Sequence, residues 1–329
     1  MTYTEKLISF HIIERENNKN FHTWTYPTIT DDHKNYILQK CFCRNDTLRY
    51  TCRRNSNTWF YICEVSEKSF AVVILAKEFE PNKYKVLCDI LAKKYSETRN
   101  PVDLVALYLN LYTSGGLHDN GTLFAGFKKF ECATNIKELI RSFDVEIILL
   151  YNAILLKRRV VAFRGSPSGL LDDLWAIAHL VPCRKVEEYL HPVVENLSQL
   201  KGLSFFVAGT TDREFAKHEH LYDIFVDLDS KEIKISPKAE EIMGMTKTHK
   251  EIATFLVKLS TSDSSEAEIN VQILQKTKEL IHILQNLASV TTENNTKMIT
   301  INELKSKKFH PNLENFLFNL ALAENMMIL

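Results

Sequence analysis

The chain has 329 residues, of which 45% are hydrophobic and 25% charged, and its 41 basic residues are matched by 41 acidic ones. This composition excludes disordered and fibrous proteins, and the balanced charge gives no indication of nucleic acid or an anionic lipid surface as a partner. Because the length exceeds that of a typical single domain, it predicts two domains or one domain with two lobes.

The sequence carries no sign of secretion or membrane insertion. Its first stretch, MTYTEKLISFHIIEREN, alternates between residue types and lacks the basic start and long apolar run of a secretory signal. No run reaches the ~18 apolar residues that a membrane span requires, and neither end has a lipidation motif. The seven cysteines lack the C-x-x-C spacing of zinc ligands. We expect a cytoplasmic protein with reduced thiols, no metal and no cofactor.

The first lobe is predicted to be an antiparallel sheet with helices packed on it. Residues 7–13 and 22–26 alternate on either side of an asparagine-rich turn, which predicts an opening β-hairpin. The acidic pair at 31–32 is suited to cap a helix, and the stretches TWFYICEV and SFAVVILAK predict two more strands. This order is typical of a small α/β lobe.

Two helices and a loop complete this lobe. Pro81 and Pro101 each begin a predicted helix. The predicted apolar side of the second helix consists of Val105, Leu109 and Tyr112. The segment TSGGLHDNGTLFAGF holds four of the nine glycines and predicts a loop. We therefore place the end of the first lobe near Asn120.

Helix and strand patterns alternate in the following part, which predicts a central α/β lobe. Asn135 is suited to cap one helix, and a second, over 147–156, ends at the basic triplet 157–159 before a strand that begins at Val160. The later segments are SGLLDDLWAIAHL and HPVVENLSQL as helices, LSFFVAG as a strand, and YDIFVDLDSKEIKI as a hairpin. From Ser236, three helices are predicted at about 237–259, 265–289 and 312–327.

Motifs for nucleotide binding and covalent catalysis are missing. The sequence has neither G-x-x-x-x-G-K-[ST] nor G-x-G-x-x-G. In the loop Gly165-Ser166-Pro167-Ser168-Gly169, Pro167 stands where a nucleophile elbow requires serine. We expect Ser166 or Ser168 to cap the helix that follows instead.

Three further polar groups each allow a functional and a structural interpretation. His218 and His220 can present two imidazoles to a metal, but no third ligand is evident. Asp227 and Asp229 fit a cation site less well than the turn of a hairpin. The basic triplet Lys157-Arg158-Arg159 is more consistent with the end of a helix than with a nuclear signal, because apolar residues flank it closely.

Several of these segments together resemble a DENN domain. The run LLYNAILLKRRVVAF, followed by GLSFFVAG and LYDIFVDLDSKEIKI, is similar to the core of that domain. Upstream, TWTYP and FAVVILAKEFEPNKYKVLCDIL are similar to segments of the upstream DENN lobe. The resemblance covers essentially the whole chain in order. It implies a bilobal α/β DENN-type fold, with an N-terminal longin-like antiparallel sheet lobe at 1–119, a central α/β lobe at 120–235 and a C-terminal helical region at 236–329.

The resemblance also implies a Rab GTPase as partner, held between the two lobes, and two functions of different classes. The first is guanine-nucleotide exchange in late endosomal trafficking, which needs no acid, base or nucleophile because an exchange factor binds the nucleotide-free GTPase more tightly. The second is a non-catalytic scaffold that binds coiled-coil subunits of the Commander endosomal recycling assembly. Both functions imply a cytoplasmic protein that associates peripherally with late endosomes.

Two aromatic residues of the opening hairpin are candidate partner-binding residues. In a regular strand His22, Trp24 and Tyr26 share one face, and Phe21, Thr23 and Thr25 share the other. If the first face is uncovered, Trp24 and Tyr26 are aromatic anchors of the kind that interfaces favour. Alternatively, both side chains belong to the core of the first lobe.

Overall fold

A computed structural model describes residues 7–42, 50–114, 116–119, 122–124, 134–288, 290–291 and 297–328. The chain divides into two compact units, Met1–Ala133 and Thr134–Leu329. None of the described helices is long and apolar enough to cross a membrane. The three-part division at 119/120 and 235/236 stays a prediction, and Asn120 itself lies outside the described residues.

The first unit is built on a five-stranded antiparallel sheet. Its strands are β1 (Leu7–Glu16), β2 (Lys19–Tyr26), β3 (Tyr50–Asn55), β4 (Thr58–Val65) and β5 (Phe70–Ala76). They lie side by side in the order β2-β1-β5-β4-β3. The helices of this unit are α1 (Asp31–Lys40), α2 (Pro81–Thr98) and α3 (Pro101–Ser114). A short hairpin of β6 (Leu117–Asp119) and β7 (Thr122–Phe124) lies within the predicted glycine-rich loop.

Helices pack on both faces of this sheet. On one face Ile37 of α1 lies in a cluster with Phe60 and Val73 of the sheet. On the other face Tyr84 of α2 stacks on Tyr61 with ring centroids 4.3 Å apart. The predicted hairpin, the strands over β4 and β5, and the start of α2 are confirmed.

Helix α3 buries a different side from the predicted one. Its buried residues are Leu104, Tyr108 and Leu111. Of the predicted apolar side, Val105 is half-buried, Leu109 is exposed, and the side chain of Tyr112 lies outside the described part of the chain. The prediction was wrong because α3 carries apolar residues almost all round, so spacing alone cannot select the packed side.

Two other features of the first unit differ from expectation. Strand β3 has no predicted counterpart. Helix α1 is capped by Thr30, whose hydroxyl accepts the His33 N–H at 3.4 Å, while the acidic pair at 31–32 forms its first turn. Acidic residues in a first turn favourably face the positive end of the helix dipole, so the pair still stabilises this end.

The second unit contains a mixed sheet, further helices and a small C-terminal sheet. Its first part comprises α4 (Ile136–Phe143), α5 (Ile147–Leu155), β8 (Val160–Phe163), α6 (Pro167–Leu180), β9 (Leu190–His191), α7 (Leu197–Gly202), β10 (Val207–Thr210), β11 (Ile224–Asp227) and β12 (Glu232–Ile235). Its second part comprises α8 (Lys247–Ser260), α9 (Glu266–Leu287), β13 (Val290–Thr291), β14 (Lys297–Thr300), α10 (Ile301–Ser306), α11 (Pro311–Ala323) and β15 (Met327–Ile328).

Strand β8 is the centre of the mixed sheet, whose order is β12-β11-β8-β10-β9. Strands β9, β10, β8 and β11 run parallel, and β12 closes one edge antiparallel to β11. All four residues of β8 are buried. Parallel strands covered on both faces have continuous apolar runs, which explains the sequence VVAF. The predicted helix over 147–156, the strand at Val160 and the final hairpin are confirmed.

The cap of α4 comes from a distant residue instead of the predicted Asn135. Asn135 adopts a left-handed backbone with φ of 54° and makes no side-chain cap. The Glu266 carboxylate, at the start of α9, accepts the backbone N–H of Ile136 at 3.0 Å and of Lys137 at 3.4 Å. This cap was not predicted from the sequence because Glu266 and Ile136 are 130 residues apart, about two fifths of the chain.

Two predicted helices of this unit are shorter than expected. In the segment HPVVENLSQL the helix α7 begins only after Asn196, whose side chain accepts the Gln199 N–H at 2.9 Å. The helix predicted from 237 begins at Lys247, and a single 3₁₀ turn, Pro237–Ala239, precedes it. Thr246 and His249 form a reciprocal capping box there, which fixes the true start of α8.

Gly209 of β10 allows a close approach that a larger residue would prevent. A Cβ atom at this position would lie 2.4 Å from the Pro192 carbonyl oxygen and 2.7 Å from Leu174 Cδ1. We expect Gly209→Ala to lower the free energy of unfolding by about 1–3 kcal/mol through overpacking. Gly202→Ala is the control, because a Cβ atom added there would have no neighbouring atom within 4 Å. Equal unfolding midpoints for the two variants in urea would contradict this.

Candidate functional site

The basic triplet lies at the turn that joins α5 to β8. Lys157 adopts φ of 55°, and the Arg158 N–H donates to the Ala153 carbonyl at 2.8 Å, which closes the helix end. The Arg159 N–H donates to Asp223 Oδ2 at 2.8 Å, and its guanidinium lies 4.4 Å from the centroid of the Phe205 ring. Arg158 and Arg159 thus make contacts within the protein. The interpretation of the triplet as the end of a helix is confirmed.

The loop after β8 is organised by ion pairs. Arg164 pairs with Asp173 and lies 3.7 Å from Asp229. Asp229 Oδ2 accepts the Gly165 N–H at 2.8 Å. Burial raises the pKa of Asp173 to about 6, although the Arg164 cation opposes this rise. The cluster joins the loop after β8 to the turn after β11 and has no nucleophile in it.

The serines of this loop do not cap α6. Ser166 precedes the helix, but its side chain makes no cap hydrogen bond and instead lies 3.2 Å from Ser168 Oγ. This prediction was wrong: the two serine hydroxyls lie against each other, and the loop is fixed by Arg164 and Asp229 instead. No nucleophile elbow forms, as the sequence indicates.

The remaining polar candidates are the aspartates of the β11–β12 turn and the two histidines that precede β11. Asp227 Oδ1 accepts the backbone N–H of Asp229 at 3.1 Å and of Ser230 at 3.0 Å, so the predicted turn is confirmed. His218 lies between two 3₁₀ turns and His220 lies in the second, with ring centroids 6.0 Å apart. Within the described ranges no group of three or more His, Cys, Asp or Glu side chains is arranged to hold a metal.

The five cysteines in the described part of the chain are free thiols, at positions 41, 52, 63, 88 and 183. Burial raises the pKa of the Cys52 and Cys88 thiols well above the usual value. Because the thiolate is the reactive form, these two side chains are unreactive packing residues. Cys43 and Cys132 lie outside the described residues.

Strand β2 forms one edge of the first sheet and carries the two predicted partner-binding residues. Ile12 lies opposite Trp24 but Ile13 lies opposite His22, so Thr23 is an extra residue in a β-bulge. The bulge moves His22 to the face of α1, where its Nε2 lies 3.0 Å from the Lys34 carbonyl. The prediction that His22 shares a face with Trp24 and Tyr26 was therefore wrong.

Trp24 and Tyr26 are both half-buried on the face opposite α1. The Tyr26 ring lies 5.5 Å from the Tyr108 ring of α3 and 6.4 Å from the Phe10 ring, so it joins an aromatic cluster of its own unit. The indole N–H of Trp24 has no acceptor among the described residues. Phe21, further along the same edge strand, is 49% exposed.

Helix α3 carries exposed apolar residues of its own. Val102 is 60% and Leu109 45% exposed, and Val105 between them is half-buried. The spacing i, i+3, i+7 places the three on one stripe of the helix. We call Val102, Val105 and Leu109 the α3 stripe. Asp103 is the one charged residue among the 14 of α3, so the exposed side of this helix is unusually apolar.

An antiparallel sheet lobe followed by a mixed α/β lobe centred on β8, with no catalytic side-chain cluster in the described part, is the architecture of DENN-type proteins. The family model "SPA: Stabilization of polarity axis" matches residues 133–237, from before α4 to just after β12. DENN domain-containing protein 10 of Danio rerio is 33% identical, with 99% of each chain covered. The Homo sapiens protein of that name is 30% identical over 98% of this chain and 97% of the relative.

A more distant relative, DENN domain-containing protein 10 of Dictyostelium discoideum, is 27% identical, with 97% of both chains covered. Because similarity of this degree extends over almost the whole chain, the protein belongs to the DENN domain-containing protein 10 family. The resemblance to DENN domains inferred from the sequence motifs is thereby confirmed.

Proposed function

We propose that this protein regulates a Rab GTPase of late endosomal trafficking as a guanine-nucleotide exchange factor. The observation that carries the proposal is the similarity to DENN domain proteins over 98–99% of the chain. The structure around β8 is consistent with this proposal. The polar side chains at the end of β8 form ion pairs and turn hydrogen bonds, and exchange needs no acid, base or nucleophile. On this proposal the protein is cytoplasmic and associates peripherally with late endosomes.

Exchange requires differential binding and no covalent step. The factor accelerates GDP release by binding the nucleotide-free GTPase more tightly than the nucleotide-bound form. Each tenfold acceleration requires ~1.4 kcal/mol of this difference, so a ten-thousandfold effect requires about 5.5 kcal/mol. One well-packed protein interface can supply that amount, because a few buried side chains commonly contribute ~2 kcal/mol or more each.

The test is release of fluorescent GDP from a panel of late endosomal Rab proteins. We expect the protein to accelerate release from at least one member, and to bind that member more tightly after the nucleotide is removed. The matched control is the same protein after heat denaturation. Release at the intrinsic rate from every member would reject the proposal.

A scaffold function is the second candidate, and the α3 stripe favours it. An apolar stripe with i, i+3, i+7 spacing is the surface that one helix presents to another, and coiled-coil proteins supply such helices. Under this alternative the partners are coiled-coil subunits of the Commander assembly. Capture from cells distinguishes the candidates: stoichiometric coiled-coil proteins favour the scaffold, whereas a Rab enriched by nucleotide removal favours exchange.

Substitution in the α3 stripe separates binding from folding. We expect Leu109→Asp to weaken helical-partner binding at least tenfold, because a charge would be buried in an apolar contact. Its unfolding midpoint should change little, since Leu109 is 45% exposed. Asn110→Asp adds the same charge at the next exposed position and should leave binding unchanged. Equal affinities for the two variants would exclude the stripe.

Trp24 is tested in the same binding assays. We expect Trp24→Asp to abolish partner binding while the protein stays folded, if the indole is an anchor at the edge of β2. Phe21→Asp, on the same strand and 49% exposed, is the matched control for an added charge. A folded Trp24→Asp variant that keeps every partner would reject the anchor, and an unfolded one would assign Trp24 to the core.

A further inference from the structure

The turn between α10 and α11 concentrates positive charge that the balanced overall composition hides. Lys305, Lys307 and Lys308 fall within four positions, and all three are exposed. His310, also exposed, follows as the cap of α11. We call these four residues the basic turn. We propose that the basic turn is a contact surface for the anionic headgroups of a phospholipid membrane.

Within the described residues, no carboxylate neutralises the lysines of the basic turn. In the part of the chain that the structure describes, none of its three lysines has a carboxylate oxygen within 4.0 Å. Glu303 is the nearest acidic residue in sequence, and its Oε2 accepts the Thr300 N–H at 2.8 Å in a capping box. That carboxylate is therefore already committed to the start of α10.

The start of α8 lies beside the first turn of α11, which directly follows the basic turn. Asn312, in the first turn of α11, donates from Nδ2 to the Met245 carbonyl at 3.2 Å. Met245 is 39% exposed, so an apolar side chain is accessible near the start of α11. Lys250 is exposed as well, whereas Lys247 is partly neutralised by Glu251 at 3.9 Å.

The described acidic residues nearest to this surface along α11 lie beyond the basic turn. Glu240 and Glu241 are exposed, and the Glu241 carbonyl accepts from Asn315 Nδ2 at 2.8 Å, one turn into α11. Glu314 of α11 is half-buried. The net positive charge is accordingly concentrated at residues 305–310, where the chain has three cations and no anion.

The chemistry of the surface favours lipid over an acidic protein. The basic turn contains lysine and no arginine, and the guanidinium fork of arginine is the group that fits carboxylates and phosphorylated peptides bidentately. Clustered, exposed lysines instead suit a diffuse layer of anionic headgroups. A patch of this size gives weak, reversible binding, so it acts together with a second contact.

The test is co-sedimentation of the full chain with phosphatidylcholine vesicles, with and without phosphatidylserine. We expect binding only to the anionic vesicles and about a fivefold loss for each lysine removed, or about 100-fold for the triple Lys305→Gln, Lys307→Gln, Lys308→Gln variant. Raising the ionic strength from about 0.1 M to about 1 M should abolish binding, because the screening length falls from about 10 Å to about 3 Å.

A scattered triple variant, Lys77→Gln, Lys85→Gln and Lys201→Gln, is the matched control, since it removes the same charge from other exposed positions. Far-UV circular dichroism establishes that both variants are folded. Equal losses for the two would overturn the proposal, as would equal binding of the wild type to neutral and anionic vesicles. Tighter binding to polyglutamate than to anionic vesicles would assign the surface to an acidic protein and also overturn it.

Discussion

Replacing Glu324 with alanine is expected to lower the free energy of unfolding by about 3–5 kcal/mol, because it leaves a buried guanidinium without its counter-charge. Glu324 follows the last turn of α11 and forms an ion pair with Arg184, whose side chain is only 5% exposed. Arg184 also donates from Nε to the Leu155 carbonyl at 2.8 Å. The pair thus connects the C-terminal helix to the end of α5.

Urea denaturation of the wild type, Glu324→Ala and the double variant Arg184→Met with Glu324→Met measures this effect. The double variant should recover most of the loss, since apolar residues of similar volume need no counter-charge. Glu314→Ala, on the same helix and half-buried, should shift the free energy by no more than about 0.5 kcal/mol. A loss below about 1 kcal/mol for Glu324→Ala would show that Arg184 finds another acceptor or water.

Acidification from pH 7 to about 4 is expected to destabilise the first unit by about 3 kcal/mol through His11. Burial, followed by the neighbouring His22, His33 and Lys34, lowers the pKa of His11 from 6.5 to about 3. The unfolded chain therefore binds the proton at a higher pH than the folded chain. The stabilising contribution is complete above pH 6.5 and is lost progressively as the pH falls toward 3.

The surroundings of His11 explain why protonation is unfavourable. Its Nε2 lies 2.9 Å from Ser9 Oγ and its Nδ1 lies 3.2 Å from Thr25 Oγ1. Thr25 Oγ1 lies 3.5 Å from Nδ1 of His22, whose Nε2 donates to the Lys34 carbonyl. A neutral His11 that accepts from Ser9 and donates to Thr25 satisfies the whole chain of hydrogen bonds, and a second proton would break it.

The second unit has a parallel case in His249, where burial lowers the pKa from 6.5 to about 4.

Unfolding midpoints of the wild type and the His11→Asn variant, measured between pH 7 and about 4, test the assignment to His11. The variant should be less stable at pH 7 and less sensitive to acid. His282→Gln, which alters an exposed histidine, should keep the wild-type slope. Identical slopes for all three proteins would contradict it.

Local patterns predicted much of the fold. The alternation of the opening hairpin, Pro81 at the start of α2 and the change from helix to strand before Val160 are all determined by neighbouring residues, and all are confirmed. The cap of α4 was not predictable, because Glu266 lies 130 residues from Ile136. The predicted helix from 237 to 246 was wrong because the capping box at Thr246 competes with helix continuation.

The candidate site was only partly predictable. The alternation of the second strand predicts that Trp24 and Tyr26 share a face, and the structure confirms this. The bulge at Thr23 has no sequence signature, so the position of His22 was missed. The single charged residue of α3 indicates an apolar helix. Which side of α3 is exposed depends on which side packs on the sheet, and the contact between Tyr108 and Tyr26 fixes that side.

The cap that Glu266 provides for α4 also has a consequence for the order of folding. The first helix of the second unit cannot complete its hydrogen bonds until the start of α9 has been synthesised, 130 residues later. Contacts of such long sequence separation slow folding, because the entropy of closing the loop is lost before the contact forms. During synthesis the first unit can therefore become compact while the start of α4 still lacks its cap.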